Sequence, residues 1–325
     1  MDGYVVKLDG SSVPVSRAGT EQALADQQLL WLDLHGVDDD ALAMLRDVFH
    51  FHPVAMADVD EFGQRPKAES FGDMAYIVSY AATTVLAPMV EVHAFYSGQS
   101  LITVRKKGCG ALDIVRERLA ATGGISGGTS NNRPVRLILL HQVLDTMTDS
   151  FFQPLSELDD RIDDLIERIF NDPSKDELQD LLQMQRWLVG VRKLVTPQRD
   201  VMASLLSGVI ELPGRTPAVD PYLRDLYDHV IRISDLVDSY RDLLSNAMDA
   251  YLSMVSNKLN EVMKQLAMIA TVFLPLSFLT GFFGQNFSWL VSHLGGVPAF
   301  LLLGIGTEAV AVGLMYWLFR KRGWL

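Results

Sequence analysis

The sequence predicts an α+β domain followed by helices alone, the last two of them long enough to cross a membrane. Three observations carry this. Strand-like and helix-like periods alternate over the first 130 or so residues, the pattern from Pro134 onward is helical, and two long apolar runs lie near the end.

Composition narrows the function classes. The 325 residues carry a formal net charge of −12, which argues against a nucleic-acid partner, since such proteins show a basic footprint. An acidic balance suits a solvated cytosolic domain or one that meets cations. The single cysteine, Cys109, has no intrachain partner for a disulfide and favours a reducing compartment. Met1 to Asp26 contains no apolar core of a signal peptide. No nucleophile–base constellation stands out, so no enzyme is expected, and no prosthetic group.

In chain order, Leu29–Leu34, Met74–Thr84, Val90–Tyr96 and Ser100–Lys106 read as strands, rich in Val, Ile, Tyr and Thr. Asp38–Phe49, with its Asp-rich start, and Gly108–Ala121 read as helices, giving a sheet with flanking helices over residues 1–132. Gly123–Asn132 (GGISGGTSNN) reads as a loop and domain boundary; it lacks the lysine ending of a phosphate cradle. A helical hairpin over 133–220 follows: Arg136–Phe170, a stop at Asp172-Pro173-Ser174, then Lys175 to about Leu206. Glu211–Pro221, with three prolines and a glycine, is the next break. One long helix lies beyond it, a stalk over 221–265 running into a first span over 266–283. If Pro221–Phe283 is unbroken, it measures about 95 Å at ~1.5 Å per residue.

Two rows on this helix share coiled-coil spacing. Leu226, Val230, Ile233, Val237, Tyr240 and Leu244 form an apolar seam. The other row is small or polar: Asp249, Ser253, Ser256, Asn260, Met263, Ala267, Ala270, Leu274, Ser277 and Gly281. Such a row suits a pore lined by copies of the helix; small residues also collect at ordinary membrane helix contacts.

Leu266–Phe283 is a run of eighteen residues without a charge, and Val297–Phe319 is a run of twenty-three with one acid, Glu308. Each is long enough for a hydrocarbon core of ~30 Å. Lys258 and Lys264 precede the first; Arg320, Lys321 and Arg322 follow the second in a short tail over 320–325; the loop over 284–296 has no Lys or Arg. The positive-inside rule therefore puts both termini in the cytoplasm and that loop outside, in a cell inner (plasma) membrane. Trp289, Trp317 and Trp324 sit where interfacial anchors belong. Pro275 inside the first span is tolerated in membrane helices.

The stretch Tyr251–Phe287 (YLSMVSNKLNEVMKQLAMIATVFLPLSFLTGFFGQNF) closely resembles the signature region of CorA-type divalent cation transporters. HPVAMADV (His52–Val59), RPKAE (Arg65–Glu69), YLRDLYDHV (Tyr222–Val230) and the C-terminal RKRGWL also resemble that family. The resemblance implies a funnel-shaped homopentamer in membrane lipid, with an α/β cytosolic domain, a long stalk helix entering the first span, and an outer ring of second spans. Its members move magnesium, cobalt or nickel, and a related group, ZntB, moves zinc.

The family's Gly-Met-Asn motif, which meets a hydrated ion at the outer mouth, corresponds here to Gly284-Gln285-Asn286. Magnesium gives up water reluctantly, so carbonyl and amide oxygens can recognise its hydration shell. Gln285 is a departure that puts ion identity in question, and the following loop lacks the acid often found there. By the same likeness Asn260 and Met263 line the pore, Ala267 continues the row, and Leu274 and Ser277 match a hydrophobic gate and a polar ring. Asp249 matches an acidic ring near the inner mouth. Asp225 matches half of an intersubunit regulatory metal site whose other half is expected after the strand Met74–Tyr80. The residues there, AATTVLAP, contain no acid. Three functions follow for testing: a magnesium (also cobalt or nickel) channel, a proton-coupled zinc importer of the ZntB type, and a membrane-anchored sensor without transport.

Glu308 is costly in a bilayer and marks a candidate for intramembrane protonation, or else a neutral acid bonded through Thr307 or Ser277. The His50/His52 pair, His293, and the five carboxylates Asp159, Asp160, Asp163, Asp164 and Glu167 are weaker candidates, for which a structural role or a solvated helix face is the simpler account.

Overall fold

The computed structural model describes residues 1–125, 135–285, 288–293 and 295–324; the expected boundary loop lies mostly outside them. Strands are β1 (Gly3–Lys7), β2 (Ser12–Pro14), β3 (Leu29–His35), β4 (Lys67–Phe71), β5 (Met74–Ala81), β6 (Val90–Ser97) and β7 (Leu101–Arg105). Helices are α1 (Arg17–Ala25), α2 (Asp39–Asp47), α3 (Pro53–Glu61), α4 (Gly110–Thr122), α5 (Val135–Asp149), α6 (Phe152–Asn171), α7 (Lys175–Ser207), α8 (Asp220–Phe283), α9 (Ser288–His293), α10 (Val297–Ala299) and α11 (Gly306–Lys321). A π-helical segment, Phe300–Ile305, joins the last two. Two compact units divide the chain, Met1–Met248 and Asp249–Leu325, and α8 contributes to both.

The first unit is built on a seven-stranded sheet in the order β2-β1-β3-β7-β6-β5-β4. Only β3 and β7 pair in parallel; the other neighbours are antiparallel. Central strands are apolar on both faces: LLWLDLH in β3 is buried through Leu34, and all of LITVR in β7 is buried. The edges differ. β4 reads KAESF and β2 ends in Pro14, both of which discourage pairing with another chain.

Asp33 on β3 and Arg105 on β7 are a buried charge pair, 0% and 1% exposed, joined at 2.9 Å. Thr103 donates to Asp33 at 2.7 Å and accepts from the Trp31 indole at 2.9 Å. Burial works to raise the Asp33 carboxyl, but the His35 and Thr103 hydrogen bonds and the Arg105 guanidinium hold it below the usual carboxylate range.

Two expected elements end sooner. The strand from Met74 stops at Ala81 because the next N–H, that of Ala82, goes to the Ser150 hydroxyl at 2.8 Å. The helix expected over Arg136–Phe170 is two helices broken at Ser150-Phe151. Pro154 has no N–H to return to the Ser150 carbonyl four residues earlier, so the turn there cannot close. The stop at residues 172–174 is a capping box: Glu177 accepts the Ser174 N–H at 3.0 Å, and Ser174 caps the Asp176 N–H at 3.1 Å.

On α8 the seam Leu226, Val230, Ile233, Val237, Tyr240 and Leu244 is buried within the chain. Beside it α8 meets α5, α6 and α7: His141 edges Tyr222, Arg232 lies over Phe152, and Arg192 pairs with Asp238 at 3.0 Å.

In the second unit α8 continues unbroken through Pro275 to Phe283. The two apolar helical stretches, within Pro217–Phe283 and Val297–Lys321, have windows of mean hydropathy 2.0 and 1.9 with 0% of either buried. A buried hairpin in a water-soluble core would have covered them. Apolar surface on this scale belongs in lipid or against other copies.

Candidate ion pathway and metal-binding residues

Every described member of the second row, Asp249 through Gly281, is exposed. Asp249, Asn260, Ala267 and Ser277 are exposed, and Met263 and Leu274 are 67% and 76% exposed. The two rows thus differ: one is consumed inside the chain, the other offers acid, amide, thioether, leucine and hydroxyl in sequence along a helix face.

At the end of α8 the chain turns tightly. Gly284 N–H donates to the Thr280 carbonyl at 2.9 Å, and Gln285 N–H to the Phe282 carbonyl at 3.3 Å. A Cβ on Gly284 would lie 3.0 Å from that same Thr280 oxygen, so glycine suits the turn. Gln285 is exposed; Asn286 lies outside the described residues.

Glu308 is half-buried and its carboxyl meets the Thr280 hydroxyl at 2.9 Å. The partners expected for it do not serve. Thr307 bonds back to the carbonyls of Leu303 and Gly304 within its own helix, as threonines in membrane helices commonly do. His293 is likewise engaged locally, with Nδ1 3.0 Å from the Trp289 carbonyl and its ring stacked on Trp289.

Asp225 sits in a cluster of titratable groups within the first unit. His141, Asp145 and Asp149 project from α5 at successive four-residue steps, and Asp225 and His229 from α8 at one such step. Two sets have ligand atoms all within 4.8 Å of one another: His141, Asp145 and Asp225, and Asp145, Asp149 and His229. His229 Nδ1 lies 3.0 Å from Asp149 and 3.2 Å from Asp145, and its Nε2 lies 3.9 Å from Asp225. These contacts are close but misaligned, for Asp145 Oδ1, His229 Nδ1 and His141 Nε2 are buried without a hydrogen bond. Burial holds the Asp145 carboxyl above the usual range and His141 below its own, each favouring the neutral form.

The sequence reading reached Asp225 alone and looked for its complement after β5. The four-residue steps on α5 were visible, but only the packing of α8 on α5 joins the donors.

His52 accepts the Val54 N–H at 3.3 Å as the cap of α3 and stacks on Phe71, a structural role for that member of the HxH pair. The α6 carboxylates line the face opposite Leu155, Leu158, Ile162, Leu165 and Ile169, as a solvated helix face does.

Comparison with known proteins follows the same lines. Residues 26–321 match the family model described as CorA-like Mg2+ transporter protein. The cobalt/magnesium transport protein CorA of Thermotoga maritima is 34% identical over 302 residues, covering 91% of this chain and 83% of that one. The zinc transport protein ZntB of Yersinia enterocolitica is 24% identical over 337 residues, covering 99% and 95%. Among solved structures, the complete CorA magnesium transporter of Methanocaldococcus jannaschii superposes with a TM-score of 0.83 at 20% identity, covering 100% and 99%.

Proposed function

Since this chain belongs to the CorA-like Mg2+ transporter family, we propose that it carries divalent cations along an axis lined by the second row of α8 in a homopentamer. The observation that carries this is the make-up of the second row, at coiled-coil spacing on a stretch of α8 that the chain leaves unburied. Polar and small side chains stand unburied on a helix that runs into a membrane span, which suits a surface shared between copies around water. In this reading Gly284, Gln285 and Asn286 form the outer mouth and meet a hydrated ion. Ser277, Leu274, Ala267, Met263 and Asn260 line the path, with Leu274 as the apolar constriction. Asp249 collects cations at the inner end. In the same reading both termini face the cytoplasm, the side that the basic flanks favour.

Magnesium is the cargo that amide and carbonyl oxygens suit best, with cobalt and nickel as its near substitutes. A zinc importer coupled to protons is the second reading, favoured by Gln285 and by the intramembrane acid Glu308. The cluster around Asp225 would complete a metal site within one chain, in either of two three-residue sets. Each set pairs one imidazole with two carboxylates, which favours zinc or cobalt over magnesium, so the cluster would sense a transition metal.

Uptake into liposomes holding the purified pentamer tests this, comparing magnesium, cobalt and zinc with and without a proton gradient. Magnesium uptake indifferent to the gradient supports the channel. Zinc uptake that rises when the interior is alkaline supports the coupled importer. No uptake of any of the three from an intact oligomer refutes transport and leaves a membrane-anchored sensor.

A further inference from the structure

Thr280 stands at the junction of three groups in the second unit. Its hydroxyl lies 2.8 Å from the Leu276 carbonyl and 2.9 Å from Glu308 Oε1, and its own carbonyl accepts the Gly284 N–H at 2.9 Å. A threonine hydroxyl has one proton and two lone pairs. It cannot donate fully to a carbonyl and a carboxylate together. Each contact has its own proton only when Glu308 is the carboxylic acid: Glu308 then donates to Thr280 Oγ1, which donates to Leu276. Thr271, which bonds back to Ala267 at 2.7 Å with no acid beside it, shows the ordinary single arrangement.

Loss of the Glu308 proton changes this chain of bonds. The hydroxyl must then turn to the carboxylate, because a charge-assisted bond is roughly twice as strong as a neutral one, and the bond to Leu276 is given up. The hydroxyl that turns belongs to the residue whose backbone carbonyl accepts from Gly284. The same step places a negative charge one turn before Gly284-Gln285, at a mouth whose loop, residues 284–296, contains no acid.

We propose that Glu308 and Thr280 form a proton-linked pair beside the outer mouth. When neutral, the acid completes the chain of bonds through Thr280 to Leu276; when ionised, it supplies a charge that draws divalent cations there. Other titratable groups are remote. The facing span, Leu266–Phe283, has none, and on its own helix Tyr316, Arg320 and Lys321 lie two turns or more away. His293 belongs to α9 and bonds to Ser292 and Trp289. The inference rests on the transport reading for its effect on flux, but the pair can be observed without flux.

The test uses the full-length protein in liposomes, with cobalt as the probe and external pH varied from 5 to 8. The half-saturating cobalt concentration of the wild type should fall about tenfold as pH rises, at the low end of what focused charge does for association. Glu308→Gln, whose amide can donate to Thr280 as the acid does, should hold the low-pH value at every pH. Thr280→Ser should keep the wild-type profile, Thr280→Val should distort it, and Thr271→Val should leave it alone. Infrared difference spectra of wild type against Glu308→Gln give the second readout: a protonated carboxyl C=O band that disappears as pH rises and shifts in frequency in Thr280→Val. A pH-independent wild type, an unaltered profile in Glu308→Gln, or no titrating band at Glu308 overturns the proposal. If the intact wild type moves no cation, the transport reading fails on its own, and the infrared titration decides the pair.

Discussion

Replacing Arg105 with Met would leave Asp33 ionised at the centre of the sheet. The Asp33 side chain is 0% exposed, so no water can take over from the guanidinium; Thr103 at 2.7 Å, His35 at 3.2 Å and, farther off, the Arg116 guanidinium at 3.8 Å would remain. Removing one partner of a buried pair costs about 3–5 kcal/mol. At roughly 2–4 °C per kcal/mol for a unit of this size, the melting temperature of the first unit should fall by about 6–20 °C. Near-ultraviolet circular dichroism of the full-length protein in detergent is a suitable assay, because Trp31 bonds to Thr103 beside the pair. Asp33→Leu/Arg105→Met supplies the control. With both charges gone no uncompensated ion remains, and the double variant should recover at least about 2 kcal/mol relative to Arg105→Met, since an apolar replacement of such a pair is often near neutral. A double variant less stable than the single one would refute the claim that the cost comes from a stranded charge.

The same carboxylate makes the fold acid-labile with a definite sign. Asp33 and Glu91 are both held below their ordinary values: burial pushes each up, but hydrogen bonds and neighbouring cations prevail, for Glu91 those from His93 and the N–H groups of Gly63 and Gln64. Their contribution is therefore complete above pH ~5.5 and is lost as pH falls through the unfolded and then the folded values; urea midpoints measured from pH 6 to 3 should decline, and Asp33→Asn should flatten that decline. Asp145 has the opposite sign, raised by burial, so Asp145→Asn in chelator should be as stable as wild type or more so at pH 7. In zinc at a hundred times the dissociation constant the wild type should gain about 2.7 kcal/mol. Asp145→Asn and His229→Ala should lose that gain, and equal thermal shifts in all three proteins would dismiss the metal site. Leu274→Asn should wet the constriction and raise cobalt flux at least several-fold, with Phe278→Leu, off the row, as control; unchanged flux in Leu274→Asn would remove Leu274 from the pathway.

Much of this molecule is legible in its sequence where burial and period agree. β3, β5, β6 and β7 are buried on both sides and read as runs of strand formers. The spans read from length and charge. β4 escaped because an edge strand such as KAESF is charged to avoid pairing, and β1 because GYVVK is too short to show a period. The break between α5 and α6 had a visible cause in Pro154, which the surrounding apolar period concealed. The donors around Asp225 were individually regular, at four-residue steps on two helices distant in sequence, and only tertiary packing joins them. Glu308 was conspicuous as an acid in a span, but its partner Thr280 depends on how the two helices pair.

The division of α8 into a buried row and an exposed row has a consequence for biogenesis. Leu226 to Leu244 are covered by helices that precede them in the chain. A ribosome delivers those helices first, and domains complete themselves as they emerge. By the time Leu266 leaves the tunnel the upstream seam already has its partners, so it is not left as a sticky surface while the two apolar runs await the insertion machinery. What stays open on α8 lies beyond Tyr251, and if copies assemble there after insertion they need not undo anything made during synthesis.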